Sequence, residues 1–315
     1  MKIGILTRDC AGVNAAIRSI VRTAVKYNIE IIGVKRGYSG LIDADFVKLD
    51  HRSVSGIINK GGTILKTSRC KRFYTKEGQE KAIKNIHEHA IDGLIVIGGN
   101  GSLTAAKILA DNNIKVIGIP ATIDNDVNKV ELTLGADTAV NVALDALDKI
   151  RDTATSLERI FIVEVMGRQC GYIALQVALA GGCEEALIPE RDVDIDSMCN
   201  EIIKGNEMGK KSWIVIVAEG KAKAHDIAEV ITKNTNLETR VAVLGHIQRG
   251  GRPTAIDRLM AARLGNCALE MIKDGFSSKC VFIKNDIIES IDLSEAIQKK
   301  TIEVEKKYSL IKVLT

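Results

Sequence analysis

The stretch that decides the fold is Ile97–Ala106, "IGGNGSLTAA". It follows the apolar run Leu94–Ile97, and a helix-like segment comes after its pair Gly98-Gly99. Glycines let backbone N–H groups approach an anion, and the following helix directs its positive end toward that anion. The pattern therefore predicts a strand, a phosphate-binding loop and a helix. Such a loop usually also holds a carboxylate, because Mg²⁺ prefers hard oxygen ligands, but here Asn100 stands between the glycines.

Strand-like runs that end in glycine or polar residues recur along the chain. They are Ile3–Thr7, Ile31–Val34, Gly93–Ile97, Val116–Ile119, Ile160–Val165, Trp213–Ala218 and Val241–Leu244. Helical patterns lie between many of them, such as Asn14–Tyr27 and Thr138–Ile150. This alternation predicts an α/β fold with mainly parallel sheets flanked by helices, whose ligands bind at the carboxyl ends of the strands. The charged, periodic stretch from Glu289 predicts a surface helix.

Composition narrows the class of protein. The 315 residues are enough for two α/β lobes, and with 46% hydrophobic but only 3% aromatic residues the core must be mainly Ile, Val, Leu and Ala. A net charge of +4 with scattered basic residues, and few aromatic rings for stacking, argues against nucleic-acid binding. Seven cysteines without paired spacing indicate reduced, mostly buried thiols. No leader and no apolar run of membrane-spanning length is present, so we expect a cytoplasmic protein with no membrane partner.

A second informative stretch is "IPATIDNDV", Ile119–Val127. Asp124 and Asp126 flank Asn125, and carboxylates two apart on an extended segment point the same way. One could take a proton from an attacking hydroxyl while the other stays near a metal-bound phosphate. Considered in isolation, the same letters more often form an Asx-rich turn that caps the next element.

Basic residues follow two further strand ends. "EVMGRQCGYIAL", Glu164–Leu175, places Arg168 at a turn, and "TRVAVLGHIQRGGRP", Thr239–Pro253, places Arg240, His246 and Arg249 around another strand end. Any one of these arginines alone would more often form a surface ion pair. Together, beside glycines, they predict a clamp for a phosphorylated, hydroxyl-rich small molecule.

These motifs together resemble the bacterial-type 6-phosphofructokinases. The resemblance is carried by "TIDND", "MGRQCGYIAL", "GGCEEALIPE", "TRVAVLGHIQRGGRPTAIDR" and "SRCKRFYTKEGQEKA", in collinear order from the first strand to about Asp274. It implies two Rossmann-like lobes, 1–135 plus 248–300 on the nucleotide side and 136–247 plus 301–315 on the sugar-phosphate side. The activity implied is transfer of the terminal phosphoryl group of ATP, with Mg²⁺, to the 1-hydroxyl of fructose 6-phosphate in glycolysis.

The resemblance also implies roles for individual residues. Asp124 would be the general base, with Thr122 and Asp126 its close partners and Arg168 a positioning cation. The fructose 6-phosphate site would comprise Thr122, Ile123, Asp124, Asp126, Arg159, Met166, Gly167, Arg168, Glu219, Arg240, His246 and Arg249. The ATP site would comprise Arg69, Cys70, Gly99, Asn100, Gly101 and Ser102, with Asn100 and Asp126 at the metal.

Assembly and regulation are implied in the same way. Arg159 and Arg240 would reach into the sugar site of a neighbouring subunit, so a homotetramer, or a hetero-oligomer with a paralogue, would complete the site. The positions that match the family's site for the effectors ADP or phosphoenolpyruvate are Arg18, Arg22, Arg151, Glu184 and Lys210. Gly56 and Met208 stand where many bacterial members have an acidic and a basic residue, so control by these effectors could be altered.

Departures from the family pattern fall on the nucleotide side. Thr7–Asn14, "TRDCAGVN", is two residues shorter than the usual first loop and carries Arg8 in place of its glycine pair. Asn100 replaces an aspartate, and Lys66, Ala105 and Ala121 replace glycines. Losing a glycine that needs a positive φ costs about 1 kcal/mol, and losing a transition-state contact about 3 to 4 kcal/mol.

Three hypotheses follow from this one-sided change. The first is a working 6-phosphofructokinase that uses ATP. The second is a pseudoenzyme that binds a sugar phosphate and regulates an active subunit. The third is a phosphotransferase with a different donor, for which pyrophosphate is not the obvious choice because Gly101 and Ala121 lack the Asp and Lys typical of pyrophosphate-using relatives.

Overall fold

Strands alternate with helices along most of the chain, as the sequence predicts. The computed structural model describes residues 1–315. The strands are β1 (Lys2–Thr7), β2 (Glu30–Val34), β3 (Phe46–Leu49), β4 (Gly93–Gly98), β5 (Val116–Pro120), β6 (Ile160–Val165), β7 (Glu185–Leu187), β8 (Trp213–Ala218), β9 (Thr239–Val243), β10 (Lys279–Lys284) and β11 (Ile287–Asp292). The helices are α1 (Val13–Lys26), α2 (Tyr38–Asp43), α3 (Lys76–Glu88), α4 (Asn100–Asp111), α5 (Ala136–Leu157), α6 (Tyr172–Ala180), α7 (Ile195–Glu207), α8 (Ala224–Thr235), α9 (Ala255–Lys273), α10 (Leu293–Ala296) and α11 (Glu305–Leu314).

The chain divides into two compact units. Unit 1 consists of Met1–Thr138 and Arg249–Lys300, and unit 2 of Ala139–Gln248 and Thr301–Thr315. The chain passes from the first unit to the second within the first turn of α5. No helix in either unit has both the length and the apolar character needed to cross a membrane.

Unit 1 is built on a seven-stranded sheet in the order β11-β10-β5-β4-β1-β2-β3. The five central strands are parallel, and the edge strands β3 and β11 pair antiparallel to their neighbours. The central strands are apolar on both faces because helices cover both. Register pairs Thr7 with Ile97 and Gly98 with Pro120, so the loops after β1, β4 and β5 leave the same edge of the sheet.

Unit 2 is built on a four-stranded parallel sheet in the order β7-β8-β6-β9. Its core includes Ile160, Ile162, Val215 and Val217 from the sheet, packed against helical residues such as Ile202 and Ile231. The loops after β6 and β9 carry the glycine-rich and arginine-rich motifs that the sequence singled out. The Rossmann-like class predicted from the sequence is therefore confirmed in both units.

The prediction of a surface helix from Glu289 is wrong. Glu289 lies inside β11, which pairs antiparallel with β10, and a helix of only four residues follows it before α11 begins at Glu305. An edge strand buries one face at most, and in "IIESID" the half-buried residues Ile288 and Ile291 are three apart, a spacing that also fits a helix. The strand predicted at Val241–Leu244 begins two residues earlier, at Thr239.

A buried carboxylate joins α9 to the start of α5. Asp257 is fully buried; one carboxylate oxygen accepts a hydrogen bond from the backbone N–H of Gly135 at 2.8 Å, and the other accepts from the N–H of Thr138 at 3.0 Å and from its hydroxyl. Burial raises the pKa of Asp257, and these hydrogen bonds oppose the shift. The carboxylate thus supplies acceptors for donors that water cannot reach.

Asp257→Ala is expected to lower the free energy of unfolding by about 3 kcal/mol, because it leaves three buried donors without an acceptor. The measurement is the shift of the urea midpoint at neutral pH. Asp274→Ala is the matched control, since Asp274 is exposed at the C-terminal end of the same helix, and it should change stability by less than about 0.5 kcal/mol. Equal effects of the two substitutions would contradict an anchoring role for Asp257.

Candidate active site

The turn between β4 and α4 requires glycine at two positions. A Cβ on Gly98 would lie 2.6 Å from Cβ of Ser102, and a Cβ on Gly99 would lie 3.0 Å from Cβ of Thr122. Gly99 is the residue that precedes the helix, so α4 starts at Asn100 with its amino-terminal end at the carboxyl edge of the sheet. The positive end of a helix favours an anion there. The strand, loop and helix predicted from "IGGNGS" are confirmed.

The segment after β5 is a turn held by side chains. Asn125 has a left-handed backbone, with φ of 51°. Its amide group donates to the carbonyl of Glu131 at 3.1 Å and accepts from the N–H of Thr133 at 3.0 Å. Thr133 in turn donates its hydroxyl to the carbonyl of Thr122 at 2.6 Å. The extended segment expected for Asp124 and Asp126 is therefore wrong, because Asn125 bends the chain between the two carboxylates.

Both interpretations of "TIDND" describe part of this turn. Asn125 forms the Asx-type bonds of a structural turn, and the Thr122 hydroxyl accepts from the N–H of Asp124 at 3.2 Å. Asp124 itself is only 2% exposed at the carboxyl end of β5. A carboxylate removed from water in this way is costly unless it has a charged or reacting partner, which is typical of functional sites.

Asn100 and Asp126 meet beside this turn. The Asn100 side chain donates through Nδ2 to the backbone carbonyl of Asp126 at 3.0 Å. Its Oδ1 and the Oδ1 of Asp126 are both buried and accept no hydrogen bond from the protein. Asn100 therefore provides a hydrogen-bond donor, which an ionised aspartate at this position could not provide. Its Oδ1 remains without a hydrogen bond.

These two oxygens fit a magnesium ion that phosphate oxygens help to hold. No group of three or more His, Cys, Asp or Glu side chains is placed to bind a metal in this structure, so the protein offers no complete cage. Mg²⁺ usually takes one or two carboxylates and fills its remaining positions with water and substrate phosphates. Asp126 Oδ1 and Asn100 Oδ1, neither of which accepts a hydrogen bond, would supply the one or two protein oxygens that such a Mg²⁺ needs.

Arg8 follows β1 and lies against the glycine turn. Its backbone N–H donates to the carbonyl of Ile97 at 2.9 Å, and its guanidinium donates to Thr67 Oγ1 at 3.2 Å and to the carbonyl of Ser68 at 2.9 Å. The Arg8 side chain reaches the space beside Gly98, where a Cβ would lie 3.0 Å from Arg8 Cγ. A cation therefore occupies the edge of the sheet between β1 and β4.

The residues predicted for the nucleotide lie around the same edge. Tyr74, in the 3₁₀ turn that follows Arg69 and Cys70, donates its hydroxyl to the carbonyl of Gly101 at 3.4 Å. The Arg72 guanidinium bonds the Asp43 carboxylate at 2.8 Å and lowers the pKa of that carboxyl. Unit 1 thus brings the 69–74 segment next to Gly101 and the first turn of α4, with Ala105 and Ala121 buried beside them.

In unit 2, a glutamate shapes the turn after β6. Glu219 Oε1 accepts from the N–H of Gly167 at 3.3 Å and of Arg168 at 2.9 Å. Gly167 has φ of 144°, and a Cβ there would lie 2.5 Å from the carbonyl oxygen of Cys170. Gln248, which sequence reasoning missed, accepts from the N–H of Met166 at 2.9 Å and is 1% exposed. Its only sequence signal was its place within "GHIQRGG".

Two of the predicted arginines share one carboxylate at the edge strand β9. Arg159 Nε bonds Glu238 Oε2 at 2.7 Å, and Arg240 bonds the other oxygen of Glu238. Glu238 was also missed, because it adjoins the motif on its amino-terminal side. His246 is exposed in the 3₁₀ turn Gly245–Arg249, and Arg249 lies in unit 1, where it donates to the carbonyl of Asp9 at 3.0 Å.

The predicted effector residues are divided between the units. Arg18 and Arg22 lie on α1 in unit 1, whereas Arg151, Glu184 and Lys210 lie in unit 2. Arg151 donates to the carbonyls of Gly181 and Gly182.. Glu184 pairs with Lys210 at 3.0 Å and accepts from the N–H of Ile214 at 2.7 Å. Their role in binding an effector stays a prediction.

Fold and site together define an α/β protein with glycine turns, carboxylates and arginines at the carboxyl ends of parallel strands, the arrangement of a phosphate-ligand enzyme. The family model that matches is "Phosphofructokinase", over residues 2–272. This chain therefore belongs to the phosphofructokinase family.

Curated relatives match along their whole length. The chain is 48% identical over 312 residues to an ATP-dependent 6-phosphofructokinase from Thermotoga neapolitana, covering 96% of this chain and 98% of the relative. It is 47% identical over 316 residues to the ATP-dependent 6-phosphofructokinase of Bacillus subtilis, covering 100% and 99%. Among solved structures, phosphofructokinase from Saccharomyces cerevisiae matches with a TM-score of 0.88 at 31% identity; the match covers 94% of this chain and 45% of the yeast chain, so this chain spans less than half of the yeast one.

Lys66 marks a position built for glycine, and it offers a direct test of the altered loop. Its φ is 59°, in the left-handed region, and its side chain is exposed. Lys66→Gly is expected to stabilise the protein by about 0.5 to 1 kcal/mol, since the strain of a left-handed backbone is relieved. Lys60→Gly, at an exposed lysine of the same loop that lacks a positive φ, should destabilise by about 0.5 to 1 kcal/mol through backbone entropy. Thermal unfolding measures both, and shifts of the same sign would contradict this account.

Proposed function

We propose that this chain is an ATP-dependent 6-phosphofructokinase, which transfers the terminal phosphoryl group of ATP to the 1-hydroxyl of fructose 6-phosphate in glycolysis. The observation that carries the proposal is 47 to 48% identity, over nearly all of both chains, to proteins that bear this name. The buried carboxylate turn beside an anion-binding helix end supports it independently, since phosphoryl transfer needs positioning and charge neutralisation rather than a covalent residue.

In the proposed reaction, Asp124 accepts the proton of the sugar hydroxyl as that oxygen attacks phosphorus. Its burial at the end of β5 removes competing water. The hydroxyl of Thr122 accepts a hydrogen bond from the N–H of Asp124, and this bond fixes the start of the turn. Arg168 is the proposed positioning cation for the transferred group, and its backbone is fixed by Glu219.

The donor side would be formed by Arg69, Cys70 and Gly99 to Ser102 around the triphosphate. Asn100 Oδ1 and Asp126 Oδ1 are the oxygens that would hold Mg²⁺, which neutralises phosphate charge when bound. Arg8 adds a positive charge at the same edge of the sheet, and this charge would neutralise part of the phosphate charge where an amide ligand holds Mg²⁺ less tightly than a carboxylate.

The acceptor side would be formed by Ile123, Met166, Gly167, Glu219, His246 and Arg249 around fructose 6-phosphate. Arg159 and Arg240 lie at the edge strand of unit 2, and we propose that they serve the sugar site of a neighbouring subunit in a tetramer. ADP or phosphoenolpyruvate are the proposed effectors at Arg18, Arg22, Arg151, Glu184 and Lys210. The proposed location is the cytoplasm.

The other two hypotheses have less support. A regulatory pseudoenzyme would have no need of a buried carboxylate at the acceptor hydroxyl, yet Asp124 and its whole supporting turn are present. A pyrophosphate donor is suggested only by solved pyrophosphate-dependent phosphofructokinases, and these match at 24% and 21% identity, where the likeness concerns the fold alone.

The first test is turnover by the purified chain. With fructose 6-phosphate and Mg·ATP we expect fructose 1,6-bisphosphate, and Asp124→Asn should lower kcat by about 10²- to 10⁴-fold because the proton acceptor is lost. The binding of fructose 6-phosphate, measured by calorimetry, should change little. Tight sugar binding without any turnover by the wild-type chain would overturn the proposal and favour the pseudoenzyme.

The second test concerns the residue at the metal. Asn100→Asp is expected to lower the Mg²⁺ concentration needed for half-maximal nucleotide binding by about tenfold, since a carboxylate replaces an amide oxygen. Titration with Mg²⁺ at fixed ATP measures this without turnover. Asn112→Asp adds the same charge at the exposed end of the same helix and should leave the titration unchanged. An unchanged midpoint in Asn100→Asp would remove residue 100 from the proposed metal site.

A further inference from the structure

One lysine far along the sequence contacts the carboxylate turn. Lys300 Nζ donates to the backbone carbonyl of Asn125 at 2.8 Å and to that of Val130 at 2.7 Å. Asn125 and Val130 are each 1% exposed, and Lys300 is itself partly buried. The two carbonyls lie at opposite ends of the turn, so one ammonium group joins them.

Lys300 reaches the turn because its own segment is bound to it. Lys299 forms an isolated antiparallel bridge with Val127, and the N–H of Asn128 donates to the carbonyl of Ala296 at 3.2 Å. These backbone contacts fix the Cα of Lys300 beside the turn before its side chain is considered.

The carbonyl of Asn125 belongs to the peptide bond that enters Asp126. The next carbonyl, of Asp126 itself, accepts from Asn100 Nδ2 at 3.0 Å. The backbone on both sides of Asp126 is therefore held, by an ammonium group on one side and by an amide on the other. The backbone here has a left-handed residue and no ladder of strand hydrogen bonds, so its direction depends on these side-chain contacts.

We propose that Lys300 is a positioning residue for phosphoryl transfer: it sets the direction of the Asn125–Asp126 peptide and so places the carboxylates of Asp124 and Asp126. This inference rests on the proposed function of those two residues. Lys300 is a positioning residue rather than a catalytic one in this account, because its effect on the reaction passes through the backbone carbonyls of Asn125 and Val130.

The chemistry of the contact makes a specific demand on residue 300. Two carbonyl oxygens need two N–H donors on one terminal group, which lysine and arginine both provide and methionine does not. Removing the donors leaves two carbonyls of buried residues without this partner, and the turn must move to find others. Since a displacement of about 1 Å at reacting groups can cost roughly 100-fold in rate, the loss should appear in kcat.

The experiment compares Lys300→Met, Lys300→Arg and the control Lys299→Met in the full chain. Lys299 is the neighbouring lysine, and its side chain is exposed. For Lys300→Met we expect kcat to fall about 10- to 100-fold while KM for fructose 6-phosphate changes less than about threefold. Lys300→Arg should recover most of kcat, and Lys299→Met should match the wild type.

Hydrogen–deuterium exchange supplies a readout that needs no turnover. Amides in residues 121–133 should exchange faster in Lys300→Met than in the wild type, while those of β6 stay unchanged. Hydrogen–deuterium exchange tests the positioning role of Lys300 even if the wild-type chain shows no phosphofructokinase activity. The two proposals can therefore fail separately. A Lys300→Met protein with unchanged exchange in this segment, or with kcat within twofold of the wild type in an active enzyme, overturns the inference. Loss of kcat that Lys300→Arg does not restore overturns it as well.

Discussion

The hydrogen bonds of one buried asparagine side chain hold the structure on which the proposed chemistry depends. Asn125 bonds the carbonyl of Glu131 and the N–H of Thr133, and so closes a turn of irregular backbone at the end of β5. A left-handed residue is tolerated here because asparagine adopts this conformation more readily than most residues. The segment has no regular secondary structure, so these two hydrogen bonds help to fix the directions in which the side chains of Asp124 and Asp126 point.

Side-chain contacts hold the loops of the proposed donor side in place. Arg8 fills the space beside Gly98 and binds the 67–68 segment, and Lys66 keeps a left-handed backbone in that same loop. Asn100 is neutral and donates a hydrogen bond to the carbonyl of Asp126, which an ionised aspartate at this position could not do. These contacts are connected in space, because they hold the loops at one edge of the sheet around Gly98 and the first turn of α4.

Local sequence patterns predicted best the strands whose side chains are most buried. They missed features that depend on contacts between residues far apart in the sequence. Central strands such as β4 and β6 were predicted to within one residue, because strands covered on both faces are continuous apolar runs. The strands β3, β7, β10 and β11 were not predicted. An exposed edge needs no such run, which accounts for β3, β7 and β11, whereas β10 is a central strand whose short apolar run was overlooked. The glycines and Asp124 were found from motifs, and the letters around Asn125 indicated an Asx-rich turn, but they did not identify Glu131 and Thr133 as its hydrogen-bond partners. Lys300 lies 175 residues from the carbonyl of Asn125, a separation at which sequence pattern carries no information about contact.

The arginines on the proposed acceptor side already have partners, and this limits how tightly a phosphate can bind there. Arg159 and Arg240 share Glu238, and Arg249 bonds the carbonyl of Asp9. A phosphate group must compete for these guanidinium donors, so its net gain is the difference between two sets of charge-assisted bonds. Partly exposed pairs of this kind contribute about 0 to 1 kcal/mol, whereas a bidentate bond to phosphate is stronger than one to a single carboxylate oxygen. In the proposed site this exchange would favour phosphate, and Glu238, which pairs with Arg159 and Arg240, would hold both side chains in place before the ligand arrives and so lower the entropy cost of binding.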